Sequence, residues 1–359
     1  MMHPRSAGAG RPLATLCDGP LDVVGDVHGE IDALRALLGH LGYGADGLHP
    51  EGRHVVFVGD LCDRGPDSPA VLDLVMAWVG AGRAQCVLGN HEFNMLLGEP
   101  KHGNGWFFDR NHELRNGEFL HSRAATAARR DTWLGFLDRL PLTLARDDLR
   151  VVHACWDDAA IGALGPLLSS GARYREVHDA LDAQAKALLR SSGIDARAAR
   201  EVKAYRHAFK DRDAALPMLP ACAEEATILQ NANPIKVLTS GLEGPSERPA
   251  WAGGRWRMTV RARWWQDYRA GPAVVMGHYW RRDRRAVPAD VTGDWDYPLE
   301  DYDAYEWMGP RRNVFCVDYS VGGRYLERAR GGTPPYQTRL AALRWPERTL
   351  VFDDGESIT

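Results

Sequence analysis

The sequence predicts an alternating α/β fold. Three observations lead there. Short apolar runs of strand length recur through the first hundred residues, the segments between them carry helical periodicity, and each run ends in a cluster of Asp, Asn or His.

The first run, Leu21-Asp22-Val23-Val24, ends at Gly25-Asp26-Val27-His28-Gly29. Ile31, Leu34, Leu37, Leu38 and Leu41 then recur at helical spacing and predict a helix with one face on a sheet. Residues 43–53 read as a loop through Tyr43-Gly44-Ala45-Asp46-Gly47, and 54–58 as a buried strand running into Gly59-Asp60-Leu61-Cys62-Asp63-Arg64-Gly65. Ser68-Pro69 predicts a helix start, with Ser68 as the capping hydroxyl and Pro69 at the first helical position. Val71, Leu74, Val75 and Trp78 continue that helix. Residues 84–88 form the next strand, which ends at Gly89-Asn90-His91-Glu92.

Two later strands follow the same rule. Leu149–Val152 ends at His153, and Ala273–Met276 ends at Gly277-His278. Residues 313–317 read as a further strand. Residues 339–344 and Thr349–Phe352 form a hairpin through Trp345-Pro346-Glu347-Arg348. In alternating α/β folds, ligands collect beyond the carboxyl ends of the strands, so these motifs are predicted to meet in space.

Residues 1–20 read as a flexible lead-in and 21–359 as one domain, with 157–256 an insertion or cap over the site. Within that insertion 172–213 is helix-like and rich in Ala, Arg and Asp. Residues 231–256 are turn-rich, with Asn233-Pro234, Gly244-Pro245, Arg248-Pro249 and Gly253-Gly254.

Composition narrows the class. The 359 residues are 45% hydrophobic and 26% charged, ordinary for a globular chain that buries a substantial core. A net charge of −4 argues against a general nucleic-acid or anionic-membrane binder. No apolar run approaches the roughly 18 residues that a membrane span needs. Residues 1–17 lack the apolar core of roughly 7–15 residues that marks a secretory signal. Six cysteines without a C-x-x-C pair suit reduced thiols, so the expected location is cytoplasmic.

The motif residues define a chemistry. Asp26 and His28, two apart in a tight loop, can bind one cation together. Asp60 has two oxygens with which to bridge two cations. Asn90 gives a neutral oxygen to the second ion, and His153 and His278 complete it. An O and N donor set without thiolate fits Mn first, with Fe, Zn or Mg as alternatives. Two divalent ions against two aspartates leave an excess of about two positive charges, so the site wants an anion. Such a pair can hold a bridging hydroxide for in-line attack on phosphorus. Arg64 can clamp a phosphoryl group beside Asn90, and His91 can protonate the departing oxygen. Asp63 can orient His91 as a carboxylate–imidazole pair.

In this order, Gly-Asp-x-His-Gly, Gly-Asp-x-x-Asp-Arg-Gly and Gly-Asn-His-Glu resemble the calcineurin-like metallophosphoesterases. Within them, the Asp63-Arg64 pair resembles the phosphoprotein phosphatase branch, which includes bacterial protein phosphatases and diadenosine tetraphosphatases. The resemblance implies a four-layer sandwich of two mixed sheets flanked by helices, with the metal site at the carboxyl ends of the strands. It implies a hydrolase for phosphomonoesters or phosphoanhydrides, of serine/threonine protein phosphatase type. The alternatives are a dinucleoside polyphosphate hydrolase and a non-catalytic metal-binding regulator. The implied partner is a phosphorylated protein or a nucleotide-type phosphate. The chain departs from the pattern at His153-Ala154-Cys155-Trp156 and in its long insertion. Its second phosphate-binding basic residue is also unassigned, with Arg206, Arg257, Arg261, Arg263 and Lys236 as candidates.

Several residues have plainer readings. His102, His112 and His121 are expected to be solvated loop residues, and the Cys62 thiol is expected to point away from the ligands. The alternation of 255–265 predicts an amphipathic strand whose arginines face the site. Arg281-Arg282-Asp283-Arg284-Arg285 reads equally as an extension of the positive field or as a solvated loop.

Overall fold

The computed structural model of the chain describes residues 11–101, 103–108, 123–209, 211–252, 255–281, 298–299 and 301–359. The strands are β1 (Leu13–Thr15), β2 (Leu21–Val24), β3 (His54–Phe57), β4 (Ala84–Cys86), β5 (Thr143–Ala145), β6 (Leu149–Val152), β7 (Glu243–Ala252), β8 (Arg255–Arg261), β9 (Ala273–Met276), β10 (Val314–Cys316), β11 (Ala341–Trp345), β12 (Thr349–Phe352) and β13 (Ser357–Ile358). One sheet runs β1-β5-β6-β9-β10 and a second runs β13-β12-β11-β2-β3-β4. Both are mixed. β2, β3 and β4 are parallel while β11 runs antiparallel to β2, and β6, β9 and β10 are parallel while β5 opposes β6.

The alternation of side chains along each strand explains the layering. Val23, Val56 and Val58 from one sheet meet Leu149, Val151, Val275 and Phe315 from the other in a single apolar cluster. The opposite faces put Val24, Val55, Phe57, Val152, Val274 and Met276 into a cluster with helical residues such as Leu34, Leu37, Val71 and Val75. Each central strand is therefore apolar on both faces, which is why it reads as a continuous apolar run. The resulting order is helices, sheet, sheet, helices, as the resemblance implies.

The helices α1 (Ile31–Leu41), α2 (Ser68–Gly80) and α3 (Asn90–Leu97) follow β2, β3 and β4 in turn. Ser68 is not the cap of α2. Asp67 is, accepting from the Ala70 N–H at 2.9 Å, while the Ser68 hydroxyl accepts from the Asp63 N–H. The expected lead-in is partly ordered: β1 pairs with β5 from Leu13↔Thr143 to Thr15↔Ala145, and Leu16 is fully buried.

The segment expected to be an insertion holds the helices Asp158–Ser169, Tyr174–Ser192, Ile194–Tyr205, Pro220–Asn231 and Pro234–Ser240, then the β7–β8 hairpin. The turn-rich reading of 231–256 is thus corrected. Pro234 stands in the first turn of a helix capped by the Asn233 side chain, and Pro245 lies in an isolated two-stranded ribbon where neither strand is central. Among the described residues, no helix is long and apolar enough to cross a membrane. The six cysteines are all thiols.

Candidate metal centre

The carboxyl ends of β2, β3, β4, β6 and β9 deliver the motif side chains to one place. Two triples of donor atoms, each within 4.8 Å of one another, form there: His28, Asp60 and His91, and Asp60, His153 and His278. Both triples are buried, and they share Asp60. Its Oδ2 is 3.8 Å from His28 Nε2 and its Oδ1 is 3.4 Å from His153 Nε2.

Backbone geometry forces the convergence. His28, Asp60, Asp63, Arg64 and His278 all have positive φ. That conformation is costly for residues with a β-carbon, and it persists only where the surroundings over-determine it. Close packing between loops adds to the constraint. A Cβ on Gly277 would sit 1.9 Å from Asp26 Oδ1, so only glycine lets the β9 loop approach the first motif.

The tautomers are set from outside the cluster. His28 Nδ1 donates to the Cys62 carbonyl at 3.0 Å and His153 Nδ1 to the Val58 carbonyl at 2.8 Å, so both turn Nε2 inward. His153 Nε2 also lies 3.1 Å from Asn90 Oδ1. His278 Nε2 is buried with no hydrogen-bond partner, an imidazole lone pair that a cation would satisfy. Burial, and then the Arg64 charge, hold the His28 ring well below its usual pKa. Burial and Arg261 do the same to His278, keeping both in the neutral form that donates a lone pair. Burial works against ionised Asp60, but His153 and His91 outweigh it and hold the carboxyl well below its usual range. The residues present fit the binding of divalent cations.

Asp26 occupies neither triple. Its carboxylate accepts the His278 N–H at 3.2 Å, and burial followed by the nearby Asp318 and Asp60 charges pushes its pKa well up. His91, expected as the acid, takes a place in the first triple. Its Nδ1 is 2.6 Å from Asp63 Oδ2, and Trp106 Nε1 donates to the other Asp63 oxygen at 2.7 Å. Arg64 reaches between the two rings, with Nη1 3.2 Å from His28 Nε2 and Nη2 3.1 Å from His91 Nε2. A guanidinium can only donate, so both Nε2 atoms accept.

Among the five basic candidates, Arg261 is placed against the site, donating to the His278 carbonyl at 2.9 Å. Lys236 pairs with Asp182 at 2.8 Å, Arg263 pairs with Asp301, and Arg206 is exposed beside His207. Arg257 lies on β8, half-buried. The expectation that Arg281 belongs to a charged surface run is corrected. It is buried, and its guanidinium donates to the carbonyls of Cys316, Asp303, Ala304 and Glu306. Arg282 to Arg285, His102, His112 and His121 lie outside the described residues. The Cys62 thiol does face away, donating to Glu92 Oε1.

Two acidic residues went unassigned from sequence. Glu92 is fully buried and accepts from the N–H groups of Asp60, Leu61, Cys62 and Gly89 at 2.9, 2.8, 3.2 and 3.2 Å, pinning the second motif to the third. Asp318 is buried just past β10 and accepts from Trp280 N at 3.2 Å and Ser320 N at 2.8 Å. Its position after an apolar strand-like run was the one available signal.

Parts of the chain are similar to known proteins. A bis(5'-nucleosyl)-tetraphosphatase PrpE [asymmetrical] of Anoxybacillus flavithermus is 32% identical over 143 residues, covering 37% of this chain and 55% of that protein. The corresponding protein of Geobacillus thermodenitrificans is 46% identical over 74 residues, covering 20% of this chain and 30% of its own length. The chain thus spans about half or less of the curated relatives it matches. The cold-active protein-tyrosine phosphatase of a psychrophile Shewanella species aligns with 100% of this chain and 85% of its own, at 15% identity and a TM-score of 0.42. Residues 19–158 match the family model for calcineurin-like phosphoesterases, a span that contains every motif residue from Asp26 to His153. Within residues 19–158, this chain is thus similar to the calcineurin-like phosphoesterases.

Proposed function

We propose that the chain is a metal-dependent phosphohydrolase that opens phosphate esters or anhydrides at a dinuclear centre. The observation that carries the reading is the pair of donor triples meeting at the Asp60 carboxylate. Two divalent cations bound there would polarise a phosphoryl oxygen and make water nucleophilic near neutral pH.

The chain's own groups supply the rest. Asp26, His28, Asp60, Asn90, His153 and His278 would hold the cations. Arg64 offers two N–H donors in a fixed fork that matches two phosphoryl oxygens, and Asn90 adds a polar side chain to the same space. To do so Arg64 gives up its contact with His91 Nε2, which frees that nitrogen to carry a proton to the leaving oxygen. Asp63, 2.6 Å from Nδ1, holds the ring in place and stabilises its cationic form. Arg261 adds positive charge from the His278 side.

Nucleoside polyphosphates are the favoured substrates, because curated relatives that this chain matches are bis(5'-nucleosyl)-tetraphosphatases. A phosphorylated protein is the competing substrate. The test is manganese-loaded protein offered diadenosine tetraphosphate, a phosphopeptide, p-nitrophenyl phosphate and a cyclic nucleotide. Fastest turnover of the tetraphosphate supports the nucleotide reading, and fastest turnover of the phosphopeptide replaces it. No turnover on any of them with metal bound leaves a regulatory metal-binding protein.

A further inference from the structure

Trp280 is out of place as a structural residue. It follows His278 and Tyr279, which are 6% and 1% exposed, yet its own indole is only half-buried. Its φ is +48°, the left-handed region that a bulky side chain enters only under constraint. The constraint is visible. The Trp280 N–H is held by the buried Asp318 carboxylate at 3.2 Å, and the next N–H, of Arg281, donates to the Asp318 carbonyl at 2.7 Å. Arg281 is locked in turn by four backbone carbonyls. A large aromatic ring is thus fixed, partly in water, in a conformation that glycine or asparagine would occupy at lower cost.

What the ring lies against gives this arrangement a use. The Arg64 guanidinium carbon is 5.4 Å from the indole centroid, and the same guanidinium reaches the Nε2 atoms of His28 and His91. The ring therefore borders the phosphate clamp, within reach of a group attached to a phosphate held there. A rigid indole next to a guanidinium is a stacking platform, since every planar ring has a face to offer and the surface is fixed before binding.

We infer that Trp280 is a specificity-determining residue that stacks on a planar aromatic group carried by the phosphate. In its turnover arm this inference rests on the phosphohydrolase reading, but in its binding arm it does not. Nucleobases and phenyl rings share the required chemistry.

The test is calorimetric titration of manganese-loaded protein with AMP, phenyl phosphate and inorganic phosphate, in the native chain, Trp280→Ala and Trp280→Phe. The expected result is that the native chain binds AMP and phenyl phosphate more tightly than phosphate. Trp280→Ala should shrink that preference by about tenfold, and Trp280→Phe should restore most of it. A larger effect on AMP than on phenyl phosphate identifies the ring as a nucleobase, and the reverse identifies an aryl group. An equal shift for all three ligands in Trp280→Ala overturns the inference, because the indole would then only brace Arg64. No shift, or no binding of any ligand by the native chain, also overturns it. If the ring preference is found but diadenosine tetraphosphate, p-nitrophenyl phosphate, the phosphopeptide and the cyclic nucleotide are none of them turned over, the stacking role stands and the hydrolase reading falls.

Discussion

Asp63 grips His91 from a fixed position: its Oδ2 is 2.6 Å from His91 Nδ1, while Trp106 holds its other oxygen and its own N–H is tied to Ser68. The imidazole can therefore turn only one nitrogen, Nε2, toward the metal centre. The pair is built to hold a proton at one point in space.

That arrangement predicts a leaving-group dependence. His91→Ala should slow turnover of an alkyl phosphate or phosphopeptide by about 10²–10⁴-fold and that of p-nitrophenyl phosphate far less, because nitrophenolate departs without protonation. Asp63→Asn should show the same pattern to a smaller degree. Steady-state rates on the two substrate types check this, and equal losses on both would remove His91 from the acid role.

Manganese should stabilise the fold. A cation that binds the native but not the unfolded chain adds about 2.7 kcal/mol at a hundredfold excess over its dissociation constant. Scanning calorimetry should show a higher melting temperature with manganese, a return with chelator, and a reduced rise in His278→Ala. A melting point indifferent to manganese would place no folded-state metal site here.

Glu92→Gln should weaken manganese binding by about 10–100-fold without abolishing it. Glu92 touches no expected ligand side chain, but it anchors the backbone N–H groups of Asp60 and its neighbours. Titration calorimetry reads the affinity. An unchanged constant would show that the second motif holds its shape without that anchor.

At the other end of β2, the fully buried Asp22 meets Arg53 at 3.1 Å, Arg344 at 3.2 Å and the Tyr43 hydroxyl at 2.9 Å. Asp22→Ala leaves two guanidinium groups without their buried partner and should cost about 3–5 kcal/mol. Manganese stoichiometry should survive, since the change lies at the strand end away from Asp26. Urea unfolding and metal uptake, measured together, separate the two effects.

Much of the molecule was legible in the chain because its central strands are apolar on both faces and its ligands follow them directly. Leu149–Val152 and Ala273–Met276 have the bounds read from sequence, and His153 and His278 lie where that rule puts them. What the sequence hid depends on groups with no local signature. Glu92 works by accepting from backbone amides thirty residues away, and nothing in Gly-Asn-His-Glu distinguishes that from a solvated carboxylate. Arg281 resembled its basic neighbours, and only the carbonyls around it reveal a buried brace. The prolines of 231–256 were read as turn formers, although proline also opens helices and tolerates unpaired strand edges. Asp26 is expected to share the His28 ion, and its carboxylate in addition accepts the His278 amide, a contact with no signature in the sequence.

The central claim is that Asp60 joins two cation sites, and metal stoichiometry tests it most directly. Dialysed protein, analysed for bound manganese per chain, should take up two equivalents, and Asp60→Ala should hold at most one. A single equivalent in the native chain, or two in Asp60→Ala, would contradict the account.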